Sequence, residues 1–149
     1  MSPTQRSLKR LREAGATCAI VEKYNSFIKI RQDLFGFIDL LALDEGAGVL
    51  GVQTTSAANL QARVRKVTED RSLALIAKLW LGKGNRLEFH GWRKAGTRWV
   101  CRVIDMTMLV GEAELALQVV ERAPTETEQK ILSRRKINRR DRSAGTPTA

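Results

Sequence analysis

The stretch Phe37-Ile-Asp39-Leu-Leu-Ala-Leu43 decides how this chain folds. A near-continuous apolar run of this length, without polar alternation, reads as a central strand buried on both faces of a sheet. Asp39 is the exception inside it. A buried carboxylate is costly unless a cation compensates it. That cation is an arginine if the aspartate is structural and a divalent metal if it belongs to a site.

Immediately downstream, Asp44-Glu-Gly-Ala-Gly48 supplies turn chemistry, and Val49 to Thr54 reads as the next strand. If the two strands pair, the tight turn brings Gln53 close to Asp39. Gln53 and Thr55 alternate onto one face. The Gln53 side-chain carbonyl and the Thr54 backbone carbonyl are both acceptable ligands for a hard metal. The alternative is that they are merely polar residues at a strand end. Upstream, Tyr24 to Gly36 mixes basic, polar and aromatic residues as a hairpin or loop would. Thr17 to Glu22 reads as a strand. Thr4 can cap a helix that runs to Ala14 and stops at Gly15.

Further along, Ser56 is placed to cap a helix from Ala57 to Asp70, with Leu60, Val64 and Val67 on one face and Asn59, Arg63 and Lys66 on another. A second helical piece spans Ser72 to Leu81. Arg86 to Trp92 and Arg98 to Asp105 read as further strands. Glu112 to Arg122 reads as a last helix, with Leu115, Val119 and Val120 inward and Pro124 breaking it. The expected organisation is one α/β domain over residues 1–123, a mixed sheet with helices packed on it. Residues 124–149 read as a flexible basic tail able to become helical on a phosphate backbone.

The formal net charge of the 149-residue chain is +10. A surplus of that size favours polyanions, and nucleic acid is the expected partner. Arg63, Arg65, Lys66, Arg93 and Lys94, with Arg134, Arg135, Lys136, Arg139 and Arg140 in the tail, are the expected phosphate contacts. Trp80, Trp92 and Trp99 are expected to pack in the core rather than form a stacking platform, and nothing positions His90 as a general base. No stretch is apolar enough to span a bilayer, and the N-terminus lacks a secretory apolar region, so a cytoplasmic protein is expected. Cys18 and Cys101 are expected as reduced thiols and cannot make a zinc site with His90.

The series Glu22, Arg31-Gln-Asp33-Leu-Phe-Gly-Phe-Ile-Asp39-Leu-Leu, then Gly51-Val-Gln53-Thr-Thr55-Ser, then a basic helix, resembles the core of PD-(D/E)xK nucleases. Within that superfamily it is most similar to the Holliday junction resolvase-like branch, over roughly Thr4 to Leu81. The resemblance implies a restriction-endonuclease-like αβββα core with extra strands. It also implies a metal-dependent endonuclease acting on DNA, including branched or structured DNA. Asp39, Gln53 and Glu22 would hold Mg²⁺ or Mn²⁺, with Gln53 in the (D/E) position. Asp33 is read as a loop-capping residue or a further ligand, and Glu13, near a helix end, as a weaker candidate than Glu22. Thr55 stands where the family keeps its lysine. Either Lys66 takes over that role, with Lys23 as second candidate, or the domain binds nucleic acid without cutting it. Resolvases act on two-fold junctions, which implies a homodimer. The third reading has no site at all, with Asp39 a paired core charge.

Overall fold

The computed structural model describes residues 1–143. Helix α1 (Pro3–Glu13) is capped by Ser2, whose Oγ accepts the Gln5 backbone N–H at 3.2 Å, and Pro3 occupies the first helical turn. Thr4 is therefore not the cap. Its buried hydroxyl instead bonds the hydroxyl of Thr54 at 2.9 Å, tying α1 to the sheet.

After α1 the chain forms β1 (Thr17–Ile20), the short strands β2 (Lys23–Asn25) and β3 (Ile30–Gln32), then β4 (Leu40–Leu43) and β5 (Leu50–Ser56). A 3₁₀ turn over Ala57–Asn59 leads into α2 (Leu60–Glu69), and α3 (Arg71–Gly82) follows, its N-terminus capped by the Asp70 side chain. Strands β6 (Arg86–Ala95), β7 (Arg98–Val110) and β8 (Leu115–Glu121) come next, and α4 (Glu126–Ser143) ends the described chain.

Six strands form one sheet in the order β1-β4-β5-β6-β7-β8, in which only β5 and β6 are parallel. The parallel pair follows from the α2–α3 crossover between its strands. Strands β2 and β3 make a separate antiparallel ribbon. Period-2 alternation sorts the sheet's side chains into two cores. Leu40, Ala42, Leu50 and Val52 meet Leu8 and Leu11 of α1 on one face. On the other, Leu87, Phe89, Ile104 and Met106 meet Leu60, Val64, Val67 and Ala77 of α2 and α3. Gly91 permits this close approach, because a Cβ there would sit 2.8 Å from Leu60 Cδ2. The molecule is thus mixed α/β, with a mixed six-stranded sheet between helices.

Three expectations change. Glu112 to Arg122 is not a helix. Gly111 N–H bonds Glu114 C=O at 3.0 Å, closing a turn that returns β8 along β7. The β-branched Val119 and Val120 suit a strand, and Arg102 grips Glu121 across the pair at 2.7 Å. Leu115, Val119 and Val120 are consequently not inward but 45%, 42% and 52% exposed. The segment after Pro124 carries α4, anchored by Glu128 to Arg10 of α1 at 2.6 Å. Residues 144–149 of the expected tail lie outside the described residues. Finally, regular pairing of β4 begins at Leu40, although Phe37, Ile38 and Asp39 are all buried as expected, and Leu43 at the strand's far end is exposed.

Candidate metal and nucleic-acid site

Asp39 sits where three segments converge at one end of the sheet. Its N–H bonds the Val52 carbonyl at 2.9 Å, and its own carbonyl accepts from Val21 and Glu22 N–H at 2.8 and 3.3 Å. Glu22 is thereby fixed beside it, just past the end of β1. Asp33 returns to the same place through a tight loop in which Leu34 and Ile38 exchange backbone bonds at 2.8 and 3.0 Å. That loop places Phe35 and Gly36 in the left-handed region, with φ of 56° and 85°. The left-handed region suits Gly36 and strains Phe35. Carboxylate oxygens of Glu22, Asp33 and Asp39 lie within 4.8 Å of one another.

The Asp39 side chain is held from the β5 side. Its Oδ2 accepts from Gln53 Nε2 at 2.7 Å, from Thr54 N–H at 2.7 Å and from Thr54 Oγ1 at 3.1 Å. All of these donors are neutral. Burial first, then the hydrogen bond with Asp33 and the charges of Asp33 and Glu22, together push the Asp39 carboxyl up to about 8 against the lowering effect of Thr54 N–H. A hydrogen bond between two carboxyl groups needs a proton on one of them. Near neutral pH, then, the cluster holds either a proton or a cation in its place. The donor set of three convergent carboxylates fits a hard divalent ion.

The expected pairing of Asp39 with Gln53 is therefore present. Gln53 reaches Asp39 through its nitrogen, leaving Oε1 as the amide's acceptor. Thr54 meets Asp39 as a donor. Glu22 joins the cluster, and so does Asp33, whose contribution the degenerate loop sequence left open between capping and ligation. Glu13 does not join, since it is exposed and pairs with Lys9 on its own helix.

Thr55 is buried and uncharged. Lys66 is exposed in the last turn of α2, and among the described residues no ion pair or hydrogen bond joins it to the carboxylates. Lys23 is exposed on β2. The cation that does reach the cluster is Arg31 of β3, whose guanidinium lies 3.4 Å from Glu22. In the sequence Arg31 stands only inside the motif series, with no role assigned to it. Its signal was its spacing, opposite Tyr24 in a ribbon whose roots are acidic.

Two basic zones flank this end of the sheet. Since β5 and β6 run parallel with Ser56 opposite Trp92, Arg93 and Lys94 project past the end where Asp39 lies. Among the described residues, Arg93 Nε is the buried side-chain donor left without a hydrogen-bond partner. Beyond it, the β6–β7 turn and α4 enclose a cleft of about 560 Å³ lined by Arg98, Arg134, Arg135, Arg139 and Arg142. Lys136 and Arg140 are exposed on α4, and Arg63 and Arg65 lie on α2.

Trp80 and Trp92 pack against the core as expected, whereas Trp99 is 40% exposed and does not. Trp80 and Trp92 donate to Arg86 C=O and Ser7 Oγ, each at 2.8 Å, and Trp99 stacks under Arg6. Cys18 and Cys101 are free, and burial pushes the Cys101 thiol up to about 12. His90 lies between Ser7 Oγ at 3.0 Å and Glu88 Oε2 at 2.9 Å. This is a serine–histidine–carboxylate arrangement in outline only. Ser7 is wholly buried, so no substrate can reach its hydroxyl. Among the described residues no helix is long and apolar enough to cross a membrane. Comparison with protein-family models, curated proteins and solved structures finds no match for the chain.

Proposed function

We infer that this protein is a metal-dependent endonuclease acting on DNA, of restriction-endonuclease-like type and nearest the resolvase-like branch. One observation supports the reading: two further carboxylates converge on a buried aspartate whose other partners are neutral donors. Asp39, Glu22 and Asp33 would hold Mg²⁺ or Mn²⁺ together with Gln53 Oε1. Such an ion activates water and neutralises charge during phosphodiester hydrolysis. The chain's own residues do the positioning. Gln53 and Thr54 fix the Asp39 carboxylate by three hydrogen bonds. Arg31 offers the positive charge that Thr55 cannot. The arginines beside and beyond β6 give the phosphodiester backbone its register.

A second reading, a nucleic-acid-binding protein that retains the architecture without cutting, is favoured by one feature: Thr55 is buried and uncharged, and Lys66 faces solvent. One assay separates the two. Linear, nicked and four-way DNA are incubated with and without Mg²⁺ or Mn²⁺, with Asp39→Ala alongside. The endonuclease reading expects metal-dependent cleavage of at least one substrate, lost in Asp39→Ala. DNA binding with no cleavage in either metal would leave the binding protein standing.

A further inference from the structure

Two of the three carboxylates stand at the roots of one ribbon, Glu22 just before β2 and Asp33 just after β3. The ribbon pairs Lys23 with Gln32, Tyr24 with Arg31 and Asn25 with Ile30, and among the described residues it forms a two-stranded sheet by itself. Its turn is built from within. Asn25 Oδ1 accepts the N–H groups of Phe27 and Ile28 at 3.0 and 3.4 Å, and Lys29 takes a left-handed φ of 52°. This turn holds Phe27 in solvent, 97% exposed, with Ile28 and Ile30 more than half exposed nearby. Turns ordinarily select small polar residues, so an aromatic tip presented in this way needs a partner. The ribbon also carries Lys23, Lys29 and Arg31 and no carboxylate from Lys23 to Gln32.

We propose that this ribbon is a nucleic-acid wedge, with Phe27 stacking on an unpaired base while Lys23 and Lys29 contact flanking phosphates. It rests on the reading of the protein as one that acts on DNA, and it narrows the ligand class to DNA with an unstacked base, such as a junction or single strand. Inserting an apolar side chain into an intact duplex costs stacking energy, whereas at a junction or in a single strand that cost is already reduced. A base's π-face accepts Phe27 regardless of sequence. A bilayer is the competing partner for an aromatic tip with lysines. Driving this tip into anionic lipid would press Glu22 and Asp33 toward like charge. A DNA strand instead meets the cations of the ribbon first and the carboxylates only at its root.

The test measures binding of the full chain to four-way, single-stranded and duplex DNA by anisotropy in EDTA, where no cleavage occurs. Wild type, Phe27→Ala and Phe27→Trp are compared. Because Phe27 touches little of the fold, all three should melt alike. Phe27→Ala is expected to weaken four-way and single-stranded binding about tenfold while duplex binding changes less than about twofold. Phe27→Trp should restore affinity, with its new indole fluorescence quenched by those DNAs. Unchanged affinities, or equal losses on all three DNAs, would overturn the wedge while leaving the nuclease reading intact. Absence of all DNA binding by the wild-type chain would instead sink both. A Phe27→Trp signal moved by phosphatidylserine vesicles but not by DNA would also overturn the wedge, assigning the tip to a membrane.

Discussion

Asp39 and Glu88 are buried to nearly the same degree, 3% and 7% exposed, yet their surroundings drive the two carboxyls in opposite directions. Burial pushes Glu88 up, but hydrogen bonds and charge from His90 and Arg122 outweigh it and hold the group down at about 2. Arg122 bonds Glu88 at 2.7 Å and continues to Asp105 at 2.6 Å, so alternating charge runs from Glu88 through Arg122 to Asp105. Among the described residues no cation pairs with Asp39; its neighbours are neutral donors and two further acids. Equal burial therefore does not mean equal purpose. A carboxylate with charged partners is held ionised within the fold, while one surrounded by acids needs a proton or a cation to offset them.

Removing Glu88 should break this comparison most visibly. Glu88→Gln leaves Arg122 and His90 without their shared anion. It is expected to cost about 3 kcal/mol and lower Tm by about 6–12 °C in calorimetry. DNA cleavage per folded molecule should stay at the wild-type level. A loss of cleavage without a loss of stability would reverse the assignment of the two carboxylates.

Asp39→Asn should move stability the other way, through pH. In metal-free buffer the unfolded chain releases the Asp39 proton near pH 4, while the folded protein keeps it until about 8. The folded state thus holds the extra proton between those values. Stability falls as pH rises through that window and levels off above it. Asp39→Asn removes the slope, so at pH 8.5 the variant should melt about 5 °C above wild type. Mg²⁺ should raise the wild-type Tm at that pH and leave Asp39→Asn unmoved. Glu88 carries the opposite sign: its contribution is complete above its unfolded value and is lost as pH falls toward about 2.

Much of the acidic half of this contrast was legible in the sequence. The run Phe37 to Leu43 announced a buried strand with a misplaced charge, and alternation on the next strand put Gln53 beside it. Asp33 was harder, because its position depends on a loop with Phe35 in a strained left-handed conformation that no local propensity favours. The structural half was nearly silent. Ser7 and His90 are 83 residues apart, and no periodicity links them. Leu115, Val119 and Val120 fit an i, i+4 pattern as well as a strand, and only pairing with β7 decides between them. The role of Lys66 stayed open for a related reason. Helical spacing identifies the face a residue shares, not its distance from a strand end.

The basic surface offers a smaller and independent measure of the same division. If the arginine cleft binds phosphates, replacing Arg134, Arg135 and Arg139 with alanine should flatten the dependence of log K on log salt by up to about 3. Anisotropy titrations between low and moderate salt would read this. Melting should change little, because these side chains project from α4 rather than support the sheet. An unchanged slope would mean that DNA passes only along the ribbon and β6.

Lys66→Ala should have the smallest effect. The side chain is exposed, and the apolar face of α2 that holds the helix in place is Leu60, Val64 and Val67. Its removal deletes one solvated charge, so cleavage should stay within about twofold of wild type, as expected for loss of one peripheral cation. A tenfold or larger drop would mean that α2 shifts toward the carboxylates when DNA binds, bringing its last turn to the site. That outcome would transfer the missing positive charge from Arg31 to Lys66. It would also make the acid cluster a site completed by its substrate.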